Sequence, residues 1–186
     1  MNGSQPPYTV RTERLELSPV GPEDLDALYE INADPGAWRH LPQGRHTGPA
    51  QTRDLIERAV AGWSEGIGYW TARRIEDGVV VGLGGVQAQR SRGHWNLFYR
   101  LGTAHWGRGY ATELGRAALA AAHAHDPRLP VVAWIHAGNP GSQAVVRRLG
   151  MVDHGLRLDP FYRRLLYVYA DREVPEQRAG SSAFAS

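Results

Sequence analysis

A glycine-rich turn between a predicted strand and a predicted helix has the clearest chemical potential in this sequence. The strand is predicted over residues 95–101 and the helix over 108–124, and the turn contains Gly107 and Gly109. Glycine lets the backbone approach a ligand closely, and the first amides of a helix have no partner within it. Because the helix dipole makes this end positive, the segment predicts an anion site made of main-chain N–H groups. A tight turn that binds nothing is the alternative that two glycines alone leave open.

Composition and spacing exclude two familiar phosphate-binding motifs. The P-loop needs a lysine, and all 21 basic residues of this chain are arginine, which also excludes Schiff-base chemistry. The dinucleotide-binding fingerprint needs a third glycine at the position where Thr112 stands. The absence of cysteine excludes disulfides, thiolate zinc sites and a cysteine nucleophile.

A second constellation, Asn139-Pro140-Gly141-Ser142, begins another predicted helix. Asparagine is a favoured N-cap residue and proline a favoured first helical residue, which leaves Ser142 at the third helical position. This arrangement predicts a capped helix that starts just after the short apolar strand 131–136. Asn139 can both cap the helix and bind a ligand, because a cap residue lies at the amino end of the helix.

The elements that must position these segments follow the order β-α-α-β-β-β-α-β-α-β-β. The first strand is predicted over 9–19, a helix over 49–65, and a hairpin turns at Asp77-Gly78. The order indicates a mixed α/β (α+β) fold, and the late β-α-β unit requires two strands to run parallel. No linker or repeat divides the chain, so we predict a single domain over 8–174 with flexible termini at 1–7 and 175–186.

The composition is that of an ordinary globular protein. The chain has 186 residues, of which 42% are hydrophobic and 22% charged, and its net charge is +2. This charge is well short of the excess that a dedicated nucleic-acid binder carries. The sequence shows no signal-peptide pattern and no apolar run near the ~18 residues of a membrane span. We therefore expect a cytoplasmic protein that binds neither nucleic acid nor membrane.

Three segments together resemble one family. The segment Trp106–Glu113 resembles the acetyl-coenzyme A pyrophosphate loop of the GNAT N-acetyltransferases, in which Gly109 and Ala111 match the pattern Gln/Arg-x-x-Gly-x-Gly/Ala. Trp106 takes the Gln/Arg position, as an aromatic residue often does in the subgroup with ribosomal-protein N-terminal acetyltransferases. Segments 9–15 and 139–151 resemble the subgroup's opening strand and its later Asn-x-x-Ser and Leu-Gly motifs.

The resemblance implies a fold, an activity and a co-substrate site. The fold would be a mixed, mostly antiparallel sheet of about seven strands flanked by about four helices. The activity would be transfer of acetyl from acetyl-CoA to a primary amine. The residues implied to bind acetyl-CoA are the loop residues Gly107, Arg108, Gly109, Tyr110, Ala111 and Thr112, the strand backbones of Tyr99, Arg100 and Leu101, and the pair Asn139 and Ser142.

The proton-transfer groups are less clearly indicated. By resemblance, Ser142 lies near the departing thiolate and is the candidate acid. Many relatives carry a glutamate where this chain has Asn96, so the base is sought elsewhere, and His94 and His136 near strand ends are the candidates. Each of these histidines also fits a surface or capping role. No metal is implied, because the eight histidines include no His-x-x-x-His pair.

The amine acceptor is expected to bind two aromatic and basic segments. One contains Trp38 and His40, and the other contains Tyr162 and Arg163. Aromatic rings beside arginines suit a polar or acidic substrate, although a solvated hairpin around core aromatics would look the same. The expected partner is a small-molecule or peptide amine, and the chain would act as a monomer or homodimer. A non-catalytic acyl-CoA-binding sensor or partner-binding module is the alternative function.

Overall fold

The computed structural model describes residues 8–159 and 164–173, and these form one eight-stranded sheet with helices on both faces. The strand order in the sheet is β1-β2-β3-β4-β5-β6-β8-β7. The strands are β1 Val10–Arg11, β2 Leu15–Pro19, β3 Tyr69–Arg74, β4 Val80–Gln89, β5 His94–Leu101, β6 Val131–His136, β7 Val152–Asp159 and β8 Arg164–Ala170. The helices are α1 Leu25–Ala33, α2 Pro49–Gly62, α3 Tyr110–His125 and α4 Pro140–Arg148. None of these helices combines the length and the apolar character that crossing a bilayer requires.

The predicted fold class is confirmed, with one difference in strand count. The segment predicted as a single strand over 9–19 consists of β1 and β2, which pair antiparallel. The chain reverses between them because the amide and the hydroxyl of Thr12 both donate to the carbonyl oxygen of Leu15, at 2.8 and 3.0 Å. This turn contains neither glycine nor proline, and the sheet therefore has one more strand than expected.

One pair of neighbouring strands, β5 and β6, runs parallel, and the two strands pair over a short stretch. Trp95 lies opposite Val131 and Asn96 opposite Val132, and the paired register ends there. Strand β5 nevertheless continues to Leu101 and β6 to His136. The carboxyl halves of the two strands therefore diverge and leave a wedge in the sheet, which we call the β5–β6 gap.

The two faces of the sheet have different cores. Helix α3 packs its buried residues Leu114, Ala118 and Ala122 with Trp70 and Trp95 on one face. On the other face, Leu28 of α1 and Ile56 of α2 pack with Leu83. Side chains alternate along a strand, so successive residues of β5 point to opposite faces. Strand β5 thus contributes side chains to both faces beside the gap.

Candidate functional site

A cleft of about 1400 Å³ opens at the β5–β6 gap. Its walls come from β5, the loop before α3, the ends of β6 and α4, and the segment after α1. The predicted site residues that line it are Trp38, His40, Tyr99, Arg100, Leu101, Gly107, Gly109, Tyr110, Ala111, Thr112, His136, Asn139 and Ser142. Segments far apart in the sequence therefore meet in one place.

Two of the predicted residues that the structure describes, His94 and Arg108, do not line the cleft. His94 is 1% exposed at the beginning of β5, where its Nδ1 lies 3.3 Å from the carbonyl oxygen of Arg92. It lies at the amino end of its strand, whereas the β5 residues that line the cleft run from Asn96 to Leu101. Arg108 is exposed next to the cleft, with its main-chain oxygen held by Arg14. Tyr162 and Arg163 lie outside the described residues.

The loop before α3 presents main-chain donors at one end of the cleft. Gly107 and Gly109 have φ angles of 74° and 85°, a region that favours glycine. The amides of Thr112 and Glu113 both donate to the carbonyl oxygen of Gly109, at 3.1 and 3.0 Å, so the helix begins there. A Cβ atom on Gly107 would meet nothing within 4 Å, so the space in front of the backbone is open. This end of α3 can therefore accept an anion through the amides that precede Thr112.

The main chain of β5 offers a second set of hydrogen-bonding groups. The amide of Trp95 donates towards β6, to Pro130 at 2.8 Å, while that of Gly102 donates towards β4, to Val81 at 3.0 Å. Main-chain groups alternate in direction along a strand, so Leu97, Tyr99 and Leu101 direct theirs to this side. The amide of Leu97 completes the pairing with β6, and the carbonyl oxygen of Leu101 accepts from Nε1 of Trp106 at 2.9 Å, so the main chain of Tyr99 is what faces the open gap. Arg100 directs its main chain towards β4, and its side chain is the part that borders the cleft. The gap therefore resembles an unpaired strand edge inside the sheet.

The start of α4 forms the opposite wall. The Oδ1 atom of Asn139 accepts a hydrogen bond from the amide of Ser142 at 3.0 Å, so the predicted capping role is confirmed. The hydroxyl of Tyr99 donates to the carbonyl oxygen of Ser142 at 3.2 Å and bridges β5 to α4. Burial raises the pKa of Tyr99 to about 12, which keeps its phenol protonated at neutral pH. No sequence pattern points to this hydroxyl, because the family resemblance implies a role only for the backbone of Tyr99.

Two histidines face the cleft in their neutral form. Burial, and then the charge of Arg164, lower the pKa of His136 at the carboxyl end of β6. Burial lowers the pKa of His40 as well, with smaller contributions from Arg39 and His136. The Nε atom of Arg39 donates to Nε2 of His40 at 3.0 Å, which makes that nitrogen an acceptor. At neutral pH the ring of His136 can accept a proton, whereas the acceptor nitrogen of His40 is already used by Arg39.

A cluster of hydrogen bonds ties the β1–β2 turn to the first turn of α3. The carboxylate of Glu113 accepts from the Thr12 hydroxyl at 2.6 Å, the Arg14 amide at 2.7 Å and the Arg14 Nε at 2.8 Å. Arg14 also donates to the carbonyl oxygen of Arg108 at 2.8 Å. Burial acts to raise the pKa of Glu113, but these hydrogen bonds outweigh it and lower the pKa below its usual value. The Arg14–Glu113 clasp thus fixes the loop and neutralises a carboxylate that would repel an anion.

The lining of the cleft is strongly cationic. Among the described residues it includes one carboxylate, Asp159, and seven arginines: Arg14, Arg39, Arg92, Arg100, Arg116, Arg148 and Arg164. Arginine keeps its charge at any physiological pH. The cleft therefore suits ligands that carry several negative charges.

Comparison with known families identifies the class of protein that this arrangement belongs to. A family model described as the acetyltransferase (GNAT) domain matches residues 14–152, which is most of the chain. The chain belongs to this family, as its loop and motifs suggested. The matched range includes the β5–β6 gap, the loop before α3 and the start of α4.

Individual relatives agree with this assignment. The chain is 30% identical over 107 residues to the uncharacterized N-acetyltransferase p20 of Bacillus licheniformis, and the match covers 56% of this chain and 60% of that protein. An acetyltransferase structure from Agrobacterium tumefaciens is 27% identical with a TM-score of 0.73, over 91% of this chain and 96% of that one. RimL, a ribosomal-protein alpha-N-acetyltransferase solved in complex with coenzyme A, is 18% identical with a TM-score of 0.71, over 87% and 96% of the two chains. At that identity RimL supports the fold alone.

The Arg14–Glu113 clasp gives a pH-dependent prediction. We expect Glu113→Gln to lower the free energy of unfolding at pH 7 by about 1 kcal/mol, since it weakens charge-assisted hydrogen bonds. A carboxylate with a lowered pKa stabilises the fold above its unfolded pKa of about 4.3, and this contribution is lost as the pH falls. The difference between wild type and variant should therefore shrink below about pH 4. Urea unfolding at pH 7, 5, 4 and 3 measures it.

The matched control for the clasp is Glu57→Gln, which changes an exposed carboxylate on α2. This variant should differ little from wild type at every pH. If Glu113→Gln has the same deficit at pH 3 as at pH 7, the charge on Glu113 is not what holds the clasp.

Proposed function

We propose that this protein transfers an acetyl group from acetyl-CoA to a primary amine by direct attack of the amine. The observation that carries the proposal is the β5–β6 gap, in which unpaired main-chain groups of one strand lead to the open amides at the start of α3. Coenzyme A combines an amide-containing arm with phosphates, so this pairing of a strand edge with an anion site matches its two chemical parts. Family membership supports the same activity. The proposed setting is the cytoplasm.

The chain offers suitable groups for each part of the co-substrate. The amides from Gly107 to Ala111 would hold the pyrophosphate, whereas the amide of Thr112 is already used within α3. The carbonyl oxygen of Leu97 and the main chain of Tyr99 would pair with the pantetheine arm. Asn139 at the start of α4 would contact the same arm. When bound, acetyl-CoA supplies the activated acetyl thioester. Several lining arginines would balance the phosphate charge.

We assign proton transfer to groups at the carboxyl end of β6 and the amino end of α4. We assign the base to His136, because it borders the cleft and its lowered pKa leaves it neutral, whereas His94 is buried away from the cleft. We assign the donor to the departing sulfur to Ser142, which borders the cleft at the positive end of α4. Tyr99 is the alternative donor, because its hydroxyl lies against the same helix end.

The test of the function is release of free thiol from acetyl-CoA in the presence of a panel of primary amines. We expect thiol release that depends on both the protein and an amine, together with an acetylated product of the matching mass. The alternative, a non-catalytic acyl-CoA-binding module, is favoured by Asn96, an amide on the cleft wall where many relatives carry a carboxylate. Tight acetyl-CoA binding without thiol release for any amine would support that alternative and overturn the proposal.

The loop before α3 can be tested by adding a side chain to Gly109. We expect Gly109→Val to weaken acetyl-CoA binding at least tenfold, or ~1.4 kcal/mol, because it disturbs the backbone that must approach the pyrophosphate. Gly78→Val is the matched control, since Gly78 has a similar φ of 72° but lies in the β3–β4 turn. Both variants bear similar backbone strain, so calorimetry should separate them. Equal acetyl-CoA affinities in the two folded variants would remove the loop from the site.

The base can be tested through the pH dependence of the rate. Because the neutral form of His136 accepts the proton, the rate should rise with pH. The lowered pKa of His136 places this rising limb of the pH–rate profile below about pH 6.5. We expect His136→Gln to abolish the limb and His154→Gln, on β7 outside the cleft, to leave it unchanged. An identical limb in His136→Gln would mean that water or another group takes the proton.

The acid can be tested by removing one hydroxyl. We expect Ser142→Ala to lower the maximal rate by about ten- to a hundredfold, because the departing thiolate loses a nearby donor. Acetyl-CoA affinity and thermal stability should hold, since the hydrogen bond that caps α4 uses the main-chain amide of Ser142. Normal turnover in this variant would transfer the role to Tyr99 or solvent, and Tyr99→Phe then distinguishes these two.

A further inference from the structure

The side chain of Arg100 lies between the cleft and the segment after α1. Its guanidinium carbon is 3.3 Å from the centroid of the Trp38 ring, and its Nη1 donates to the carbonyl oxygen of Ala37 at 3.2 Å. A guanidinium has five N–H donors, and this is its one hydrogen bond to the described residues. No carboxylate of the described residues forms an ion pair with it. Burial lowers the pKa of Arg100 to about 10, so it is still charged at neutral pH.

A second group on the same wall, the indole N–H of Trp38, has no acceptor among the described residues. The Trp38 ring is 9% exposed and borders the cleft, and its buried Nε1 has no hydrogen-bond partner in the part of the chain that the structure describes. Burying a polar donor without an acceptor destabilises a protein by roughly 1–3 kcal/mol. Because Trp38 stacks on Arg100, a guanidinium with unused N–H donors lies beside an indole N–H that has no acceptor among the described residues.

Arg100 is separated from the groups proposed for the pyrophosphate. Along β5, Tyr99 and Leu101 pack with the core under α3, whereas Phe98 packs with the core under α1 and α2. Arg100 shares the Phe98 face, and its guanidinium lies 5.8 Å from the Phe98 ring. The open amides at the start of α3 belong to the opposite layer. The unused donors of Arg100 therefore face the side of the gap that remains for the acceptor.

We propose that the acceptor carries a carboxylate in addition to its amine, and that Arg100, held by Trp38, binds that carboxylate. The proposal rests on the function proposed above and names its substrate class. A guanidinium pairs with a carboxylate through two parallel N–H···O bonds, which supplies the acceptors that Arg100 lacks. An amine that also carries a carboxylate is close to neutral, so the arginine-lined cleft does not repel it as it would a polyamine.

One substrate panel distinguishes the two kinds of acceptor that carry both an amine and a carboxylate, which are amino acids and acidic peptides. The first arm is a series of linear amino acids in which one to six carbons separate the amine from the carboxylate, each paired with its carboxamide. The second arm is a series of short peptides with an amidated C-terminus, in which aspartate or asparagine occupies position one, two or three. The rate constant kcat/KM for acetylation is measured for each member. The spacing between amine and carboxylate in the best substrate gives the distance between the amine site and Arg100. The series with the higher kcat/KM shows whether the acceptor is an amino acid or a peptide.

The wild-type protein should prefer the best carboxylate over its matched amide by about a hundredfold. In Arg100→Gln this preference should fall at least tenfold with acetyl-CoA affinity unchanged, and Arg100→Lys should keep an intermediate preference. The control is Arg128→Gln, whose side chain is 86% exposed in the loop before β6, and it should retain the wild-type preference. A folded Arg100→Gln protein that keeps the full preference overturns the proposal.

A measurement on the wild type alone covers the case in which Arg100 variants fail to fold. Alkyl carboxylates that lack the amine should compete with the acceptor, and their carboxamides should not. Equal turnover of acids and amides, without competition by alkyl carboxylates, overturns this inference and leaves the acetyltransferase function standing. Absence of thiol release with every amine, while acetyl-CoA binds, instead overturns the function.

Discussion

The short pairing between β5 and β6 is the constraint on which the site depends. Two residue pairs hold the strands parallel, and beyond them no strand of the described residues pairs with the main chain of β5 on that side. A buried strand edge without partners would normally be unfavourable, because its N–H and C=O groups need hydrogen bonds. In this position they face a cleft that a ligand with amide groups can fill. The opening in the sheet thus makes main-chain groups available without any specialised side chain.

Local features of the site were predictable from the sequence, and contacts between distant segments were not. The Gly107–Gly109 turn and the Asn139 cap involve residues a few positions apart, so residue type and spacing were sufficient. The bond from the Arg14 amide to Glu113 joins residues 99 positions apart, and no local pattern encodes it. The same holds for the Arg100–Trp38 stack, which depends on where the segment after α1 crosses the end of β5.

The two candidate histidines show how strand direction decides a prediction. Both lie near strand ends, but His94 begins β5 whereas His136 ends β6. In neighbouring parallel strands the carboxyl ends meet at one edge of the sheet, and here they also diverge to form the cleft. Assigning each histidine to the amino or the carboxyl end of its strand distinguishes the two candidates. The split of 9–19 into β1 and β2 offered no such clue, because its turn has no glycine or proline.

The arginine lining of the cleft has a consequence for the durability of the protein. A thioester reacts with any accessible uncharged amine, and lysine side chains beside it would become acetylated over time. Guanidinium groups give the same positive charge, but they are neither deprotonated nor nucleophilic at neutral pH. Because the chain contains no lysine, the proposed anionic acyl donor would meet positive charge in the cleft but no side-chain amine that it could modify. The exposed side chains outside the cleft would likewise offer this donor no lysine amine.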